Sequence, residues 1–389
     1  MPSSKKQTAQ GIIIDRHGGW DSLRAAIGEA ISTPGVKGIM VLAGEANGPP
    51  PDGIDRFFQN CPVPVFGGVF PSLIANDEHL KRGNIIIGLQ APVNAYVVPS
   101  LSDPAIDYDR FLSESIPDGD FENAKTMFVF VDGLAPRVGA LICSLFNTFG
   151  LQGNFIGGGA GSLTTQGLRC LITPQGLIRD AAVLAIPAVA SAVSVAHGWT
   201  SIAGPYEVTA SENNTIFTLD WEPALDVYRR VVGAHAGMTL SADNFNATAQ
   251  SYPFGIARIG AEFVVRDPVA LRPDGAMTCV GDVPRGSMLH IMHGKTEVLL
   301  AAAGSVRAGA EKEIPQGMVP HFDIFMDCVS RGFFLGNDIT RELHIAYSSA
   351  RPMVGAFTLG EIANSGREHL EFHNKTSVMA IIGKANGTA

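Results

Sequence analysis

The chain has 389 residues, of which 46% are hydrophobic and only 17% are charged. This composition excludes a generally disordered chain, and this length allows two or three domains with large buried cores. The formal net charge of −9, without a cluster of Lys and Arg, disfavours nucleic acid and anionic membranes as main partners.

Cysteine usage and the N-terminus indicate a reducing compartment. The five cysteines are scattered and show no CxxC spacing, which disfavours both a disulfide framework and a cysteine-based zinc site. Residues 1–10 form a polar tail, and the apolar stretch 11–14 that follows is too short for a signal peptide. We therefore predict a cytoplasmic protein.

Apolar residues at the spacing of one helix face predict two helices. The faces consist of Trp20, Leu23, Ile27 and Ile31 in the first helix and Val138, Leu141, Ile142, Leu145 and Phe146 in the second. The second helix is expected to begin near Pro136, because proline suits the first helical turn. A third helical stretch follows Pro223 and ends at Val232.

Buried strands are predicted in an order that repeats along the chain. Each copy has an apolar strand, a strand that carries glycine, and a further apolar strand. The three copies are 39–44, 64–68 and 84–88; 128–133, 154–158 and 181–186; and, more loosely, 322–327, 352–357 and 377–382. Val41 to Val131, Gly67 to Gly157 and Ser72 to Ser162 share an offset of 90 residues in this numbering.

One apolar stretch, Ala181–Ala196, must be considered as a possible membrane-spanning helix. A spanning helix needs roughly 20 strongly apolar residues, and Pro187 interrupts this shorter stretch. Two buried strands, Ala181–Ile186 and Ala192–Val195, agree better with the pattern. We predict no membrane insertion.

These elements predict a mixed α/β (α+β) fold of repeated β-α-β-β units, with packed sheets and helices outside. A doubly wound parallel sheet is the alternative architecture. The polar, turn-rich segment 212–215 suggests a domain break. We therefore expect two domains, 11–215 and 216–384, after the polar tail 1–10.

Seven strings, read in order over most of the chain, resemble the FIST family of paired N-terminal and C-terminal sensory domains. The strings are Phe155–Gly161, His197–Trp199, Glu207–Thr209, Pro223-Ala224 with Tyr228, Asp327–Gly332, Gly355–Ile362 and Phe372–Thr376. The family usually has glycine where Ser330 stands, which leaves the local backbone shape open.

The resemblance implies a protein that senses a small ligand, with amino acids or similar polar metabolites proposed, rather than an enzyme. It implies output through a separate signalling protein, because the chain leaves no room for an output domain. Some stand-alone relatives are haem-binding nitric oxide sensors that regulate histidine kinases, and this is the runner-up function. Whether copies of the chain associate stays open.

Charged and polar residues in the last third provide a candidate ligand site. Arg331 can bind a ligand carboxylate through two parallel hydrogen bonds, and Glu361 can receive an ammonium group. The alternatives are an internal salt bridge between Arg331 and Glu361 and a structural pair of Arg331 with another carboxylate. His373, Asn374 and Thr376 either line the pocket or satisfy turn backbone.

Cys328 lies three residues before Arg331, and a nearby cation would make its thiol more reactive. It is a candidate ligand contact and, in a second alternative function, the nucleophile of a thiol-dependent enzyme. Gly157 and Gly158 either allow two backbones to approach closely or form a ligand-facing wall.

Histidines suggest two metal hypotheses. For a haem, the axial ligand is not identified by the sequence, and His197, between an apolar run and Trp199, is the residue we name. His369, Glu371 and His373 would share one face of a strand and offer zinc ligands, although no fourth ligand is evident.

Overall fold

The computed structural model describes residues 6–7, 11–117, 119–258, 262–364 and 369–384. The strands in this part of the chain are β1 (Lys6–Gln7), β2 (Ile12–Asp15), β3 (Gly38–Gly44), β4 (Val65–Phe70), β5 (Ser72–Ala75), β6 (Glu78–Leu80), β7 (Asn84–Leu89), β8 (Val93–Val98), β9 (Thr126–Asp132), β10 (Asn154–Ala160), β11 (Leu171–Thr173), β12 (Gly176–Ile178), β13 (Ala182–Pro187), β14 (Ala190–Ala196), β15 (Thr200–Glu212), β16 (Thr215–Leu219), β17 (Glu222–Pro223), β18 (Phe254–Ile256), β19 (Val264–Leu271), β20 (Met277–Val280), β21 (Met288–His293), β22 (Val319–Cys328), β23 (Met353–Thr358), β24 (Glu361–Ala363), β25 (Glu371–His373) and β26 (Ser377–Lys384).

The α-helices lie between these strands. They are α1 (Trp20–Ile31), α2 (Ile54–Gln59), α3 (Tyr108–Ser115), α4 (Asp120–Ala124), α5 (Val138–Phe149), α6 (Ala224–Ala236), α7 (Ala242–Ala249), α8 (Thr296–Lys312), α9 (Val329–Leu335) and α10 (Ile339–Ala346). The three helices predicted from apolar spacing and from Pro223 correspond to α1, α5 and α6. The stretch tested as a membrane span forms β13 and β14, as predicted.

Three units share one topology, which confirms the predicted repeat, including the looser third copy. In each unit the first two strands are parallel, and the third pairs antiparallel with the first. The units are β3, β4 and β7; β9, β10 and β13; and β22, β23 and β26. The offset of 90 residues does not hold on the first strands, because Val41 faces Gly67 whereas Val129, not Val131, faces Gly157.

A glycine occupies the same register position in all three units. A Cβ atom at Gly67, Gly157 or Gly355 would overlap the main-chain carbonyl oxygen of the facing first-strand residue. The facing residues are Val41, Val129 and Phe325, respectively. The second strand of each unit therefore requires glycine for close backbone approach.

Three sheets contain these units, and two of the sheets combine strands from both halves of the chain. The orders are β1-β2-β7-β3-β4-β11-β12 in the first sheet, β25-β24-β10-β9-β13-β8 in the second and β14-β26-β22-β23-β5-β6 in the third. The β24–β25 hairpin, although late in the sequence, thus extends the sheet of the second unit.

The inner faces of the three sheets share one core, and the helices lie outside. Phe66 of the first sheet stacks on Phe128 of the second, with ring centroids 6.0 Å apart. The outer faces pack against α1 and α2, against α3 to α5, and against α8 to α10, respectively. The strands are apolar on both faces because both faces are buried. This confirms the predicted mixed class of packed sheets with helices outside.

A barrel is inserted between the second and third units. Its strands follow the order β15-β21-β18-β19-β20-β16, and pairing of β15 with β16 closes it. Helices α6 and α7 pack with its apolar residues. The domain boundary predicted between residues 215 and 216 lies at the start of β16, so it falls inside this barrel.

The predicted polar tail is only partly described. Lys6–Gln7 pairs with β2 as β1, and residues 1–5 and 8–10 lie outside the described residues. None of the helices in the described part of the chain has the length and apolar character needed to cross a bilayer.

Candidate ligand-binding site

Most of the residues predicted to bind ligand meet where the ends of β22 and β23 in the third sheet adjoin the β24–β25 hairpin of the second sheet. Cys328 ends β22 and Thr358 ends the parallel strand β23, so their carboxyl ends lie side by side. Glu361 follows at the start of β24 and faces His373 on β25. The structure therefore brings the predicted group together, as a buried polar cluster.

Arg331 is fully buried, and protein groups occupy its guanidinium. Nε donates to Asp327 at 3.0 Å, and the terminal nitrogens donate to Glu342 and to the carbonyls of His197 and Leu299. These partners join four separate segments of the chain. Arg331 forms structural ion pairs with Asp327 and Glu342, not the predicted salt bridge with Glu361. No two N–H groups on adjacent nitrogens are left free for a bidentate bond to a ligand.

Two carboxylates share the single guanidinium of Arg331. Burial raises the pKa of Asp327 well above its ordinary value, and the neighbouring Glu342 carboxylate raises it further. Like charges in a low-dielectric site cannot both remain ionised without large cost. Arg331 is the cation that offsets this cost.

Glu361 is a further buried acid with a raised pKa. Burial raises its pKa to about 8, although the Thr358 hydroxyl donates to Oε1 at 2.7 Å. Oε2 has no hydrogen-bond partner among the described residues. Burial and the adjacent Glu361 also raise the pKa of the Cys328 thiol. A neutral thiol that is only 3% exposed does not offer the activated nucleophile that the enzyme alternative requires.

The segment 373–376 satisfies its own turn. The Asn374 amide donates to the carbonyl of His373 at 2.9 Å, and the Thr376 hydroxyl donates to the carbonyl of Asn374 at 2.7 Å. Between them, Lys375 adopts φ +50° and its buried Nζ lies 3.3 Å from Asp267. Burial lowers the pKa of His373 to about 4, so this imidazole is neutral.

Close packing accounts for Gly157 and Gly158. Gly157 is the repeated glycine of the second unit, and a Cβ at Gly158 would lie 2.8 Å from the carbonyl oxygen of Gly360 and 2.9 Å from Cγ2 of Thr358. These glycines let β10 approach the β23–β24 connection, so their positions face protein backbone.

The surroundings of His197 do not fit a haem ligand. Nδ1 accepts a hydrogen bond from the Trp199 amide at 2.9 Å, and Nε2 lies 2.8 Å from Oε2 of Glu262. The residue is 4% exposed, so ligation would require displacement of one of these partners. His369 contacts Phe146, whereas Glu371 pairs with Arg258. No three His, Cys, Asp or Glu side chains within the described ranges are arranged to hold a metal ion.

A cavity of about 360 Å³ lies beside this cluster, between elements of the two halves. Its size is in the lower part of the range of roughly 300–1,000 Å³ for small-molecule sites. One wall is a face of α5, and the opposite wall comes from β19, the β20–β21 connection and β25. Its lining includes Gly139, Ile142, Cys143, Phe146, Asn147, Arg258, Arg266, Asp282, Pro284, Leu370, Glu371 and Phe372.

Arg266 provides a buried positive charge on the cavity wall. It is 6% exposed and donates only to main-chain carbonyls: Asp282 at 2.8 Å, Phe372 at 3.0 Å and Val265 at 3.1 Å. Among the described residues no carboxylate lies within ion-pair distance of its guanidinium. Burial lowers the pKa of Arg266, yet a guanidinium remains charged in proteins.

Asp282 provides a negative charge on the same wall. Burial raises the pKa of its carboxyl group, and Arg266 lowers it through space without an ion pair. The carboxylate lies over Gly139 in the first turn of α5, where a Cβ atom would overlap Oδ2. Glycine at this position therefore lets the acid approach the helix.

Residues 370–373 connect the cavity with the buried polar cluster. Leu370, Glu371 and Phe372 line the cavity, whereas His373 faces Glu361 within the hairpin. Arg266 holds this segment through the Phe372 carbonyl. Movement of this segment would therefore shift His373, the residue that faces Glu361.

Arg266 and Asp282 were not among the site residues predicted from the sequence. Arg266 stands directly after the apolar residues Phe263–Val265, and a cation within a buried strand is an available signal for an unusual partner. Asp282 has no comparable signal, because it belongs to a polar loop.

A second cavity, of about 350 Å³, lies at the carboxyl ends of β9 and β10. Its two carboxylates already accept hydrogen bonds: Asp132 from the amides of Leu134 and Asp180, and Asp180 from the amide and hydroxyl of Ser102. Arg179 on its rim is exposed. Both carboxylates of this lining are thus hydrogen-bonded and its arginine is exposed. Among the described residues, the second cavity therefore has no equivalent of Arg266.

Comparison with known proteins gives a family assignment. No curated protein matches the chain. The family model described as the FIST N domain matches residues 50–222, and the model described as the FIST C domain matches residues 224–364. Together these matches span most of the chain, and FIST domains are small-ligand-sensing domains of signal transduction. The chain belongs to the FIST family.

Proposed function

We propose that this protein senses an amino acid or a similar small polar metabolite in the cavity between α5 and β25. The observation that carries the proposal is Arg266, a buried cation on the cavity wall with no carboxylate partner among the described residues. A buried charge without a counter-ion is costly, and a ligand carboxylate would remove that cost. Nε and Nη1 already donate to main-chain carbonyls, so Nη2 is the nitrogen left to donate to a ligand carboxylate.

Asp282 supports the amino-acid class. Its carboxylate is on the same wall as Arg266 but does not pair with it. Two opposite charges held apart complement a zwitterion, whose carboxylate would bind Arg266 and whose ammonium group would bind Asp282. The Arg258–Glu371 pair, 2.7 Å apart, is already satisfied.

The buried polar cluster has a supporting role in this proposal. Arg331, Glu361, Cys328 and His373 adjoin the cavity but are occupied by protein contacts. A ligand that draws α5 towards β25 would shift the β24–β25 hairpin and thereby the Glu361–His373 pair. The signal would then pass to a separate protein, for which a histidine kinase is a candidate.

Thermal stabilisation by a panel of free amino acids and small carboxylates tests the proposal. A ligand at 100 times its Kd should stabilise the protein by about 2.7 kcal/mol. Arg266→Lys, which keeps the charge but loses Nη2 and the main-chain hydrogen bonds of Nε and Nη1, should weaken binding at least tenfold. Arg179→Met, on the rim of the second cavity, is the matched control and should change nothing.

Two results would count against the proposal. One is a flat response of the wild-type protein across the whole panel. The other is a ligand that binds equally well to the wild type and to a folded Arg266→Lys variant, since it would then be held elsewhere. Circular dichroism of each variant establishes that it is folded.

A further inference from the structure

We infer that the preferred ligand is an amino acid with a large apolar side chain, an inference that rests on the proposed function. It follows from how the cavity separates its charges from its apolar surface. The lining carries charge near the first turn of α5 and apolar side chains farther along the same helix.

The polar end is defined by Gly139 and Asp282. Gly139 is the second residue of α5, and the Asp282 carboxylate lies directly over it. Arg266 is tied to this end because Nε donates to the Asp282 carbonyl at 2.8 Å. The carboxylate and ammonium groups of a zwitterion would therefore bind here.

The apolar end lies along the helix. Ile142 and Phe146 follow Gly139 on one face of α5, at the i, i+3 and i+7 positions. With a rise of 1.5 Å per residue, Phe146 is about 10 Å from Gly139 along the axis. That distance accommodates a long side chain that extends away from the charged group.

The opposite wall contributes both apolar and polar side chains. Leu370, Phe372 and Pro284 line it, and Phe146 contacts the ring of His369 with centroids 4.6 Å apart. The other two charged residues of the lining, Arg258 and Glu371, form an ion pair with each other. Exposed Asn147 also lines the cavity beside Phe146, so apolar contacts to a ligand would come from Ile142, Phe146, Leu370 and Phe372. Each ligand methylene buried against these side chains would tighten binding by about fourfold.

Calorimetric titration of the full chain with L-phenylalanine, L-leucine, L-alanine, L-serine and L-glutamine tests this inference. We expect phenylalanine and leucine to bind at least tenfold more tightly than alanine and serine. Phe146→Ala should abolish most of that preference while alanine binding persists. Leu134→Ala, at the rim of the second cavity, should leave the preference intact.

The possible failures are distinguishable. Equal affinity for leucine and serine, with Arg266→Lys still weakening both, would overturn the side-chain inference and leave the proposed function standing. Glutamine binding as tight as leucine binding would likewise overturn the side-chain inference and leave the proposed function standing. If none of the five amino acids binds, both the inference and its zwitterion basis are wrong. If Phe146→Ala is unstable, Phe146→Leu should still reduce the preference for phenylalanine over leucine.

Discussion

The guanidinium of Arg266 donates to the backbone carbonyl of Asp282 at 2.8 Å but forms no ion pair with the carboxylate of the same residue. Opposite charges this close normally pair when their geometry allows. Here the main-chain bond fixes the arginine, and the acid turns towards Gly139 of α5. The result is a cavity wall with two separated charges, which is the basis of the proposed ligand site.

Gly139→Ala should selectively disturb recognition of the ligand ammonium group. The new methyl group would overlap Asp282 Oδ2 and displace the carboxylate from the cavity wall. We expect amino-acid affinity to fall at least tenfold in calorimetry, while a simple carboxylate without an amino group loses much less. Equal losses for both ligands would show that Asp282 does not bind the ammonium group.

Gly157→Ala should destabilise the fold by about 1–3 kcal/mol, as expected for overpacking in a core. Its methyl group would overlap the carbonyl of Val129. Gly28→Ala is the matched control: a Cβ at Gly28 in α1 meets nothing within 4 Å, so this change should be neutral or stabilise by up to about 1 kcal/mol. Urea unfolding measures both, and equal stabilities would contradict the backbone-packing account of Gly157.

Arg331→Met should be among the most damaging single changes, by about 3–5 kcal/mol, because it leaves two buried acids without their cation. Arg341→Met is the control, since Arg341 pairs with Glu297 and Asp338 at the surface and such pairs contribute about 0–1 kcal/mol. Chemical denaturation compares them. A loss below 1 kcal/mol at Arg331 would mean that Asp327 and Glu342 are neutralised in another way.

Stability should decline between about pH 6.5 and pH 8 because of Glu361. The folded pKa of about 8 is above the ordinary value of 4.5, so the folded state holds a proton that the unfolded state has released. Stability therefore falls as pH rises through this window. Below pH 6.5 the opposite effect enters, because the lowered pKa of His373 makes acid destabilising.

Glu361→Gln tests this account, since glutamine imitates the protonated acid. Asp327, Arg331, Cys328 and His373 surround Glu361 and remain in the variant, so the difference between the two proteins isolates the contribution of Glu361. Melting temperatures at pH 6.5 and pH 8 should differ less for the variant than for the wild type. Parallel declines would exclude Glu361 as the titrating group.

His197 should not act as a haem ligand. Both of its ring nitrogens face protein partners, so haem added to the purified protein should give the same absorption spectrum with the wild type as with His197→Ala. A Soret band that appears in the wild type, responds to nitric oxide and disappears in His197→Ala would restore the haem alternative.

The sequence alone was sufficient for the repeated units and for helices α1, α5 and α6, but not for α8, which has 17 residues. Strands such as Ile39–Gly44 are apolar at every position because both of their faces are buried. The close approach of the two parallel strands in each unit requires glycine, and Gly67, Gly157 and Gly355 are recognisable in the sequence for this reason. Helix α5 shows its buried face through apolar spacing. Each of these constraints acts within one strand or helix, so neighbouring residues in the sequence are enough to reveal it.

The tertiary structure decided which charges are satisfied. Arg331 meets Glu342 and the His197 carbonyl, 11 and 134 residues away, so its availability to a ligand depends on distant segments. Arg266 follows an apolar run in sequence, but its lack of a carboxylate partner among the described residues emerges only when β19, β25 and α5 assemble. Electrostatic pairing depends on distance in space, and sequence spacing reveals that distance only within a single helix or strand.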